Sequence, residues 1–106
     1  MRDMALLLGL LREMANSPNG RIVAVATMGM SEEELKRHHH IELLVDAGHV
    51  EWNAQRSMPR ITNAGYDFLN VIESDSGAHK KLVELLDKGV TYLNAVGRVI
   101  QLFGGG

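Results

Sequence analysis

The chain contains no cysteine. That absence excludes disulfide staples, thiolate zinc sites and cysteine nucleophiles together, and it suits a reducing compartment. Proline is nearly absent as well, with Pro18 and Pro59 the only two, so most breaks between elements must fall to glycine. Charge of one sign is also lacking: 11 basic against 13 acidic residues give a formal charge of -2. No global positive field draws the chain to nucleic acid, and any phosphate contact must come from a local patch. Long hydrophobic runs are missing too. Residues 4–11 and 22–30 are apolar, but a bilayer span needs about 20 such residues. Asp3 stands where a signal peptide carries positive charge, and Arg12 and Glu13 follow the first run in place of small residues. These absences predict a soluble cytoplasmic protein without membrane contact. Its 106 residues fit one domain with a modest core.

What remains is a string of well-punctuated elements. Asp3 can cap a helix to about Ala15, with Leu7, Leu10, Leu11 and Met14 recurring at steps of three and four. Asn16-Ser17-Pro18-Asn19-Gly20 breaks it. Residues 21–27 are short, β-branched and apolar, and predict a strand. Ser31-Glu32-Glu33-Glu34 spells a capping box, opening a helix that Gly48 stops. Within it Leu35 lies about 120° around the helix from Ile41, off the face that Ile41, Leu44 and Val45 share. The segment is therefore either one helix kinked near His38 or two helices in a helix-turn-helix. Residues 50–55 and 58–61 flank Arg56-Ser57 as a hairpin, with Trp52 on one strand and Pro59 on an edge. Thr62 caps a helix through about Glu73 that carries Phe68, Leu69 and Ile72. A last helix is expected over residues 79–102, followed by a frayed Gly104-Gly105-Gly106.

Helix, strand, one or two helices, hairpin and helix is the order of a winged helix. The expected fold class is α+β, mostly helical: a winged helix-turn-helix with an extra long C-terminal helix. It divides into a winged-helix domain over residues 1–75, a C-terminal helix over 76–103 packing on the domain or a dimer mate, and a disordered tail over 104–106.

Two stretches carry a resemblance. His40-Ile41-Glu42-Leu43-Leu44-Val45-Asp46-Ala47-Gly48-His49-Val50 resembles the end of the recognition helix and first wing strand of bacterial winged-helix regulators. Ile61-Thr62-Asn63-Ala64-Gly65-Tyr66-Asp67-Phe68-Leu69 resembles their segment after the wing, where the threonine caps a helix and the glycine allows close packing. With Arg2-Asp3-Met4 and Ser31-Glu32-Glu33-Glu34 ahead of them, the ordered set is similar to a family of short bacterial and prophage proteins catalogued as domain of unknown function 2513. The spacing from Ser31 to His40 is longer than that family's pattern. The resemblance implies a winged helix and no particular activity.

The candidate contacts follow from this frame. Lys36, Arg37, His39 and His40 on the helix, with Arg56 and Arg60 on the hairpin, form a candidate surface for double-stranded DNA, since a recognition helix enters the major groove while the wing meets backbone. The alternative is a solvated face, because Glu32, Glu33, Glu34, Glu42 and Asp46 share the helix and repel phosphate. The first alternative yields a homodimeric DNA-binding regulator, and the second an adaptor that binds a protein partner. Leu82, Leu86, Leu93, Val96, Ile100 and Phe103, with Gly89, repeat at steps of four and three, a heptad seam that predicts a homodimer; the alternative is a plain core helix. His38-His39-His40 is the metal candidate, but consecutive helical residues point about 100° apart and cannot close on one ion, so no metal or other cofactor is expected. Trp52 reads as a packing residue. No Gly-x-Ser-x-Gly turn, phosphate loop or dinucleotide fingerprint occurs, and an enzyme is not expected.

Overall fold

The computed structural model describes residues 3–24 and 29–103. Its first helix, α1 (Met4–Ala15), opens as the sequence demands: the Asp3 carboxylate accepts the Leu6 amide proton at 3.1 Å. Leu7, Leu8, Leu10, Leu11 and Met14 line its buried face. A short turn at Pro18–Gly20 then redirects the chain, with Asn19 and Gly20 both at positive φ. Residues 21–24 run antiparallel to the segment around Pro59. Arg21 bridges Arg60, the Ile22 amide donates to the Pro59 carbonyl at 3.2 Å, and the Ala24 amide donates to the Ser57 carbonyl at 2.8 Å. The expected strand is present there as an irregular partner; its residues 25–27 lie outside the described set.

Helix α2 (Glu32–Asp46) starts with the capping box, both arms formed between Ser31 and Glu34. It is one uninterrupted helix, so the helix-turn-helix division near His38 does not occur. The off-phase Leu35 requires no break because it is left 55% exposed to solvent. The helix ends in a Schellman turn: the Gly48 amide donates to Val45 and the His49 amide to Leu44, with Gly48 at φ 78°.

The hairpin pairs β1 (Val50–Glu51) with β2 (Arg60–Ile61), Val50 opposite Ile61 and Glu51 opposite Arg60. Regular pairing is shorter than the residue pattern suggested. Asn53 accounts for this: its Oδ1 accepts the Ser57 and Met58 amides at 2.8 and 2.9 Å, curling residues 53–58 into a polar loop. Residues 21–24, β2 and β1 thus lie side by side in that order.

Helix α3 (Asn63–Ser74) is capped by Thr62, which accepts from the Gly65 amide and donates its hydroxyl proton to the Gly48 carbonyl at 2.6 Å. Gly65 is required here. A Cβ at that position would collide with the His49 carbonyl oxygen and the Ile61 side chain.

The single long C-terminal helix is not observed. It is two helices, α4 (Ser76–Asp87) and α5 (Tyr92–Phe103), folded back on one another. Gly89, at φ 86°, makes a second Schellman turn: its amide donates to Leu86 and the Val90 amide to Leu85. Thr91 restarts the chain by accepting the Asn94 amide at 3.3 Å. The heptad spacing across Gly89 therefore belongs to no continuous seam. The result is a mostly helical α+β fold with a small two-stranded antiparallel sheet. One core joins α1, α2, α3 and both C-terminal helices around Phe68, Leu11, Met14, Leu44 and Leu82. Among the described residues no helix is long and apolar enough to cross a membrane. The expected tail, residues 104–106, lies outside the described set.

Candidate macromolecular interface

The cations singled out for DNA contact are on the surface, but each already holds a carboxylate. Lys36 pairs with Asp3 at 3.0 Å, Arg37 with Glu13 through its two terminal guanidinium nitrogens at 2.8 and 3.2 Å, and Arg56 with Glu42 at 2.7 Å; Arg60 pairs with Glu51. Exposed pairs of this kind add at most about 1 kcal/mol each to stability. Their larger consequence is electrostatic, since four positive groups are matched by four negative ones within ion-pair distance. A phosphate displacing any of these carboxylates would still sit beside it. Glu32, Glu33 and Glu34 are all exposed on the first turn of the same helix. Arg21, which the sequence pattern did not single out, donates to the Met58 carbonyl at 2.9 Å.

The histidine triplet is split three ways. His38 packs its ring against Trp52, centroids 5.5 Å apart, and His39 is exposed. His40 is fully buried, which corrects its place among groups free to meet DNA. Its Nε2 accepts the Asp3 amide at 2.8 Å, so Nδ1 carries the proton that it donates to the Lys36 carbonyl at 2.7 Å. Burial, set against that backbone bond, holds its pKa below the usual histidine value. The Lys36 hydrogen bond in turn holds the Asp3 carboxyl below the usual carboxylate range. Asp3, Lys36 and His40 thus bolt the start of α1 onto α2. Among the described residues no three histidine, aspartate or glutamate side chains are placed to hold a metal ion.

A second buried histidine, His49, is not among the candidate site residues of the sequence. His49 stacks on Phe68 at 4.7 Å and shares a hydrogen bond with the Tyr92 hydroxyl at 3.1 Å. Burial depresses its pKa to about 4 and raises that of Tyr92. This cluster ties the end of α2 to α3 and α5. The signal that could have found it is positional: the residue after a Schellman glycine commonly turns into the core.

Trp52 and Arg56 form a polar knuckle on the hairpin. The indole Nε1 donates to Glu42 at 3.1 Å, and the Arg56 guanidinium lies 5.3 Å over the indole ring while bonding the same carboxylate. On the other edge, the pairing of residues 21–24 with β2 sets Val23 opposite Met58, and both side chains are exposed, Val23 by 69%.

The six dimer candidates separate as well. Leu82 and Val96 are buried in the chain's own core and cannot meet a second copy without unfolding. Leu86 is half-buried against that core. Leu93, Ile100 and Phe103 are exposed, although Phe103 also rests near Gly77. No protein-family model, curated protein or solved structure matches the chain.

Proposed function

We propose that this chain is a non-catalytic winged-helix-type module of the cytoplasm that recognises a protein surface and not duplex DNA. The resemblance to the short prophage and bacterial family is part of that reading. The observation that carries it is the pairing of Lys36, Arg37, Arg56 and Arg60 with Asp3, Glu13, Glu42 and Glu51. A phosphate-binding face needs uncompensated cations, because release of counterions from the nucleic acid supplies most of the affinity. Apolar groups occupy the positions where contacts can still form: Val23 and Met58 on the ribbon, and Leu35 on α2. The knuckle of Trp52 and Arg56 beside them supplies the two residue types that protein interfaces favour as anchors.

The test is a photo-crosslinking amino acid placed at Met58, with a second placed at Lys80 on the far helix as a control. In cells, the Met58 probe is expected to yield a discrete protein adduct that the Lys80 probe does not. Adducts to DNA from Met58, or identical adduct patterns from both positions, contradict the proposal.

A further inference from the structure

Helices α4 and α5 each turn a stripe into the core: Ala78, Leu82 and Leu85 on the first, Tyr92, Val96 and Val99 on the second. Along the chain these buried residues fall at steps of four, three, seven, four and three. Gly89 stands where it completes the alternation inside the step of seven, four after Leu85 and three before Tyr92. Two helices folded onto one core each need a stripe; one register running through the turn between them is a further property. A helix continuous over residues 76–103 would carry all of these residues on a single seam.

The turn that prevents this is short, Lys88-Gly89-Val90-Thr91. It depends on Gly89 at φ 86°, where a Cβ would meet nothing within 4 Å. Lys88 pairs with Glu84 four residues back, a pairing that a continued helix keeps. The Gly48 turn has no such alternative, because it leads into β1 and is fastened by the Thr62 amide and hydroxyl.

We infer that two copies of this chain exchange α5 when residues 88–91 become helical. Each α4 stays on its own core. Each α5, carried straight on, settles in the α5 seat of the other copy, with the two-fold axis at Gly89. The seat specifies its occupant. The Tyr92 hydroxyl shares a hydrogen bond with His49 at 3.1 Å, the Tyr92 and Phe68 ring centroids lie 6.3 Å apart edge to face, and Ala95, Val96 and Val99 are buried on the same helix. Only another α5 supplies that set. The common register lets one straight helix present its first stripe to one core and its second stripe to the other. The contacts recovered are the contacts given up, so no additional interface is required. The closed chain offers its own α5 at an effective concentration on the order of millimolar. Exchange therefore needs protein at comparable concentration, and it needs α5 to detach first. The dimer forms during folding at high concentration and persists on dilution. This inference does not depend on what the ribbon and α2 contact.

Refolding the full chain from denaturant at about 1 mM, with light scattering on the diluted product, tests it. The wild type is expected to yield a dimer beside the monomer. Dimers refolded from copies carrying different isotope labels should show a nuclear Overhauser contact between Tyr92 of one copy and Phe68 of the other. Gly89→Ala penalises the left-handed turn and favours the helix, twice per dimer, so association should strengthen by at least about a hundredfold. Thr91→Pro gives up the hydroxyl that accepts the Asn94 amide. Proline is tolerated at the start of a helix and breaks a helix interior, so this variant should fold and stay monomeric. A wild type wholly monomeric after this treatment overturns the inference. So does a dimer without the contact between copies, one undiminished in Thr91→Pro, or one that Gly89→Ala does not strengthen. Should Gly89→Ala fold poorly, the wild type and Thr91→Pro decide the matter.

Discussion

Two helices in this molecule stop by the same device, and the chain does different things after each. At Gly48 and at Gly89 a glycine in the left-handed region closes a Schellman turn, with matching hydrogen bonds to the last carbonyls of α2 and α4. After Gly48, His49 is driven into the core, its carbonyl accepts the Thr62 amide, and the Gly48 carbonyl accepts the Thr62 hydroxyl. After Gly89, Val90 is only half-buried before Thr91 starts α5. The turn itself specifies only where a helix ends. The residues that receive the next segment determine how firmly the ending is locked.

The sharpest way to break that contrast is at the receiving side of the first turn. Gly65→Ala places a methyl group against the His49 carbonyl and should destabilise the fold by about 3 kcal/mol, the upper range for overpacking. Chemical denaturation measures this, and a loss under about 1 kcal/mol would mean that α3 can back away from the turn at little cost.

Acid should act on the same region. His49 has its folded pKa depressed from 6.5 to about 4, so the unfolded chain binds the extra proton first. Stability is then complete above about pH 6.5 and is lost as pH falls toward 4, by about 3 kcal/mol from this group, with His40 adding in the same direction. Denaturation midpoints between those pH values report the slope, and His49→Gln should flatten it. A wild-type slope retained in that variant would place the acid sensitivity elsewhere.

The turns themselves should respond alike. Gly48→Ala and Gly89→Ala each force an L-residue to positive φ in otherwise open space, at about 1–2 kcal/mol. Clearly unequal losses would show that the two turns differ locally as well as in their surroundings. The smallest expected effect is Arg37→Ala, under about 1 kcal/mol, because its partnership with Glu13 is solvent-exposed.

Much of this architecture is written in local chemistry that a reader of the sequence can decode. Asp3, Ser31 and Thr62 cap the helices they were expected to cap, and Gly48 stops α2. The same grammar was available at Gly89-Val90-Thr91, a glycine stop followed by a threonine cap. It was masked by apolar residues whose three-and-four spacing runs through the turn, since periodicity is blind to a reversal that happens to keep phase. Leu35 shows the converse: a residue out of phase suggested a broken helix, where solvent exposure was the simpler resolution. The candidate site was less legible. Which lysines and arginines lie near the helix and hairpin follows from sequence. That Asp3 and Glu13 reach Lys36 and Arg37 does not, because both come from α1 or its cap and are set by packing. The burial of His40 depends on the same docking.

The claim on which the functional account depends is that these cations are spoken for. Anisotropy titration of a labelled DNA duplex at about 50 mM and about 200 mM salt measures it directly, because uncompensated cations give affinities that fall steeply over that interval. The account predicts no salt-dependent binding in the micromolar range, and no change on Arg37→Ala with Arg56→Ala. Tight binding at the lower salt that collapses at the higher one, and that the double substitution abolishes, would contradict it.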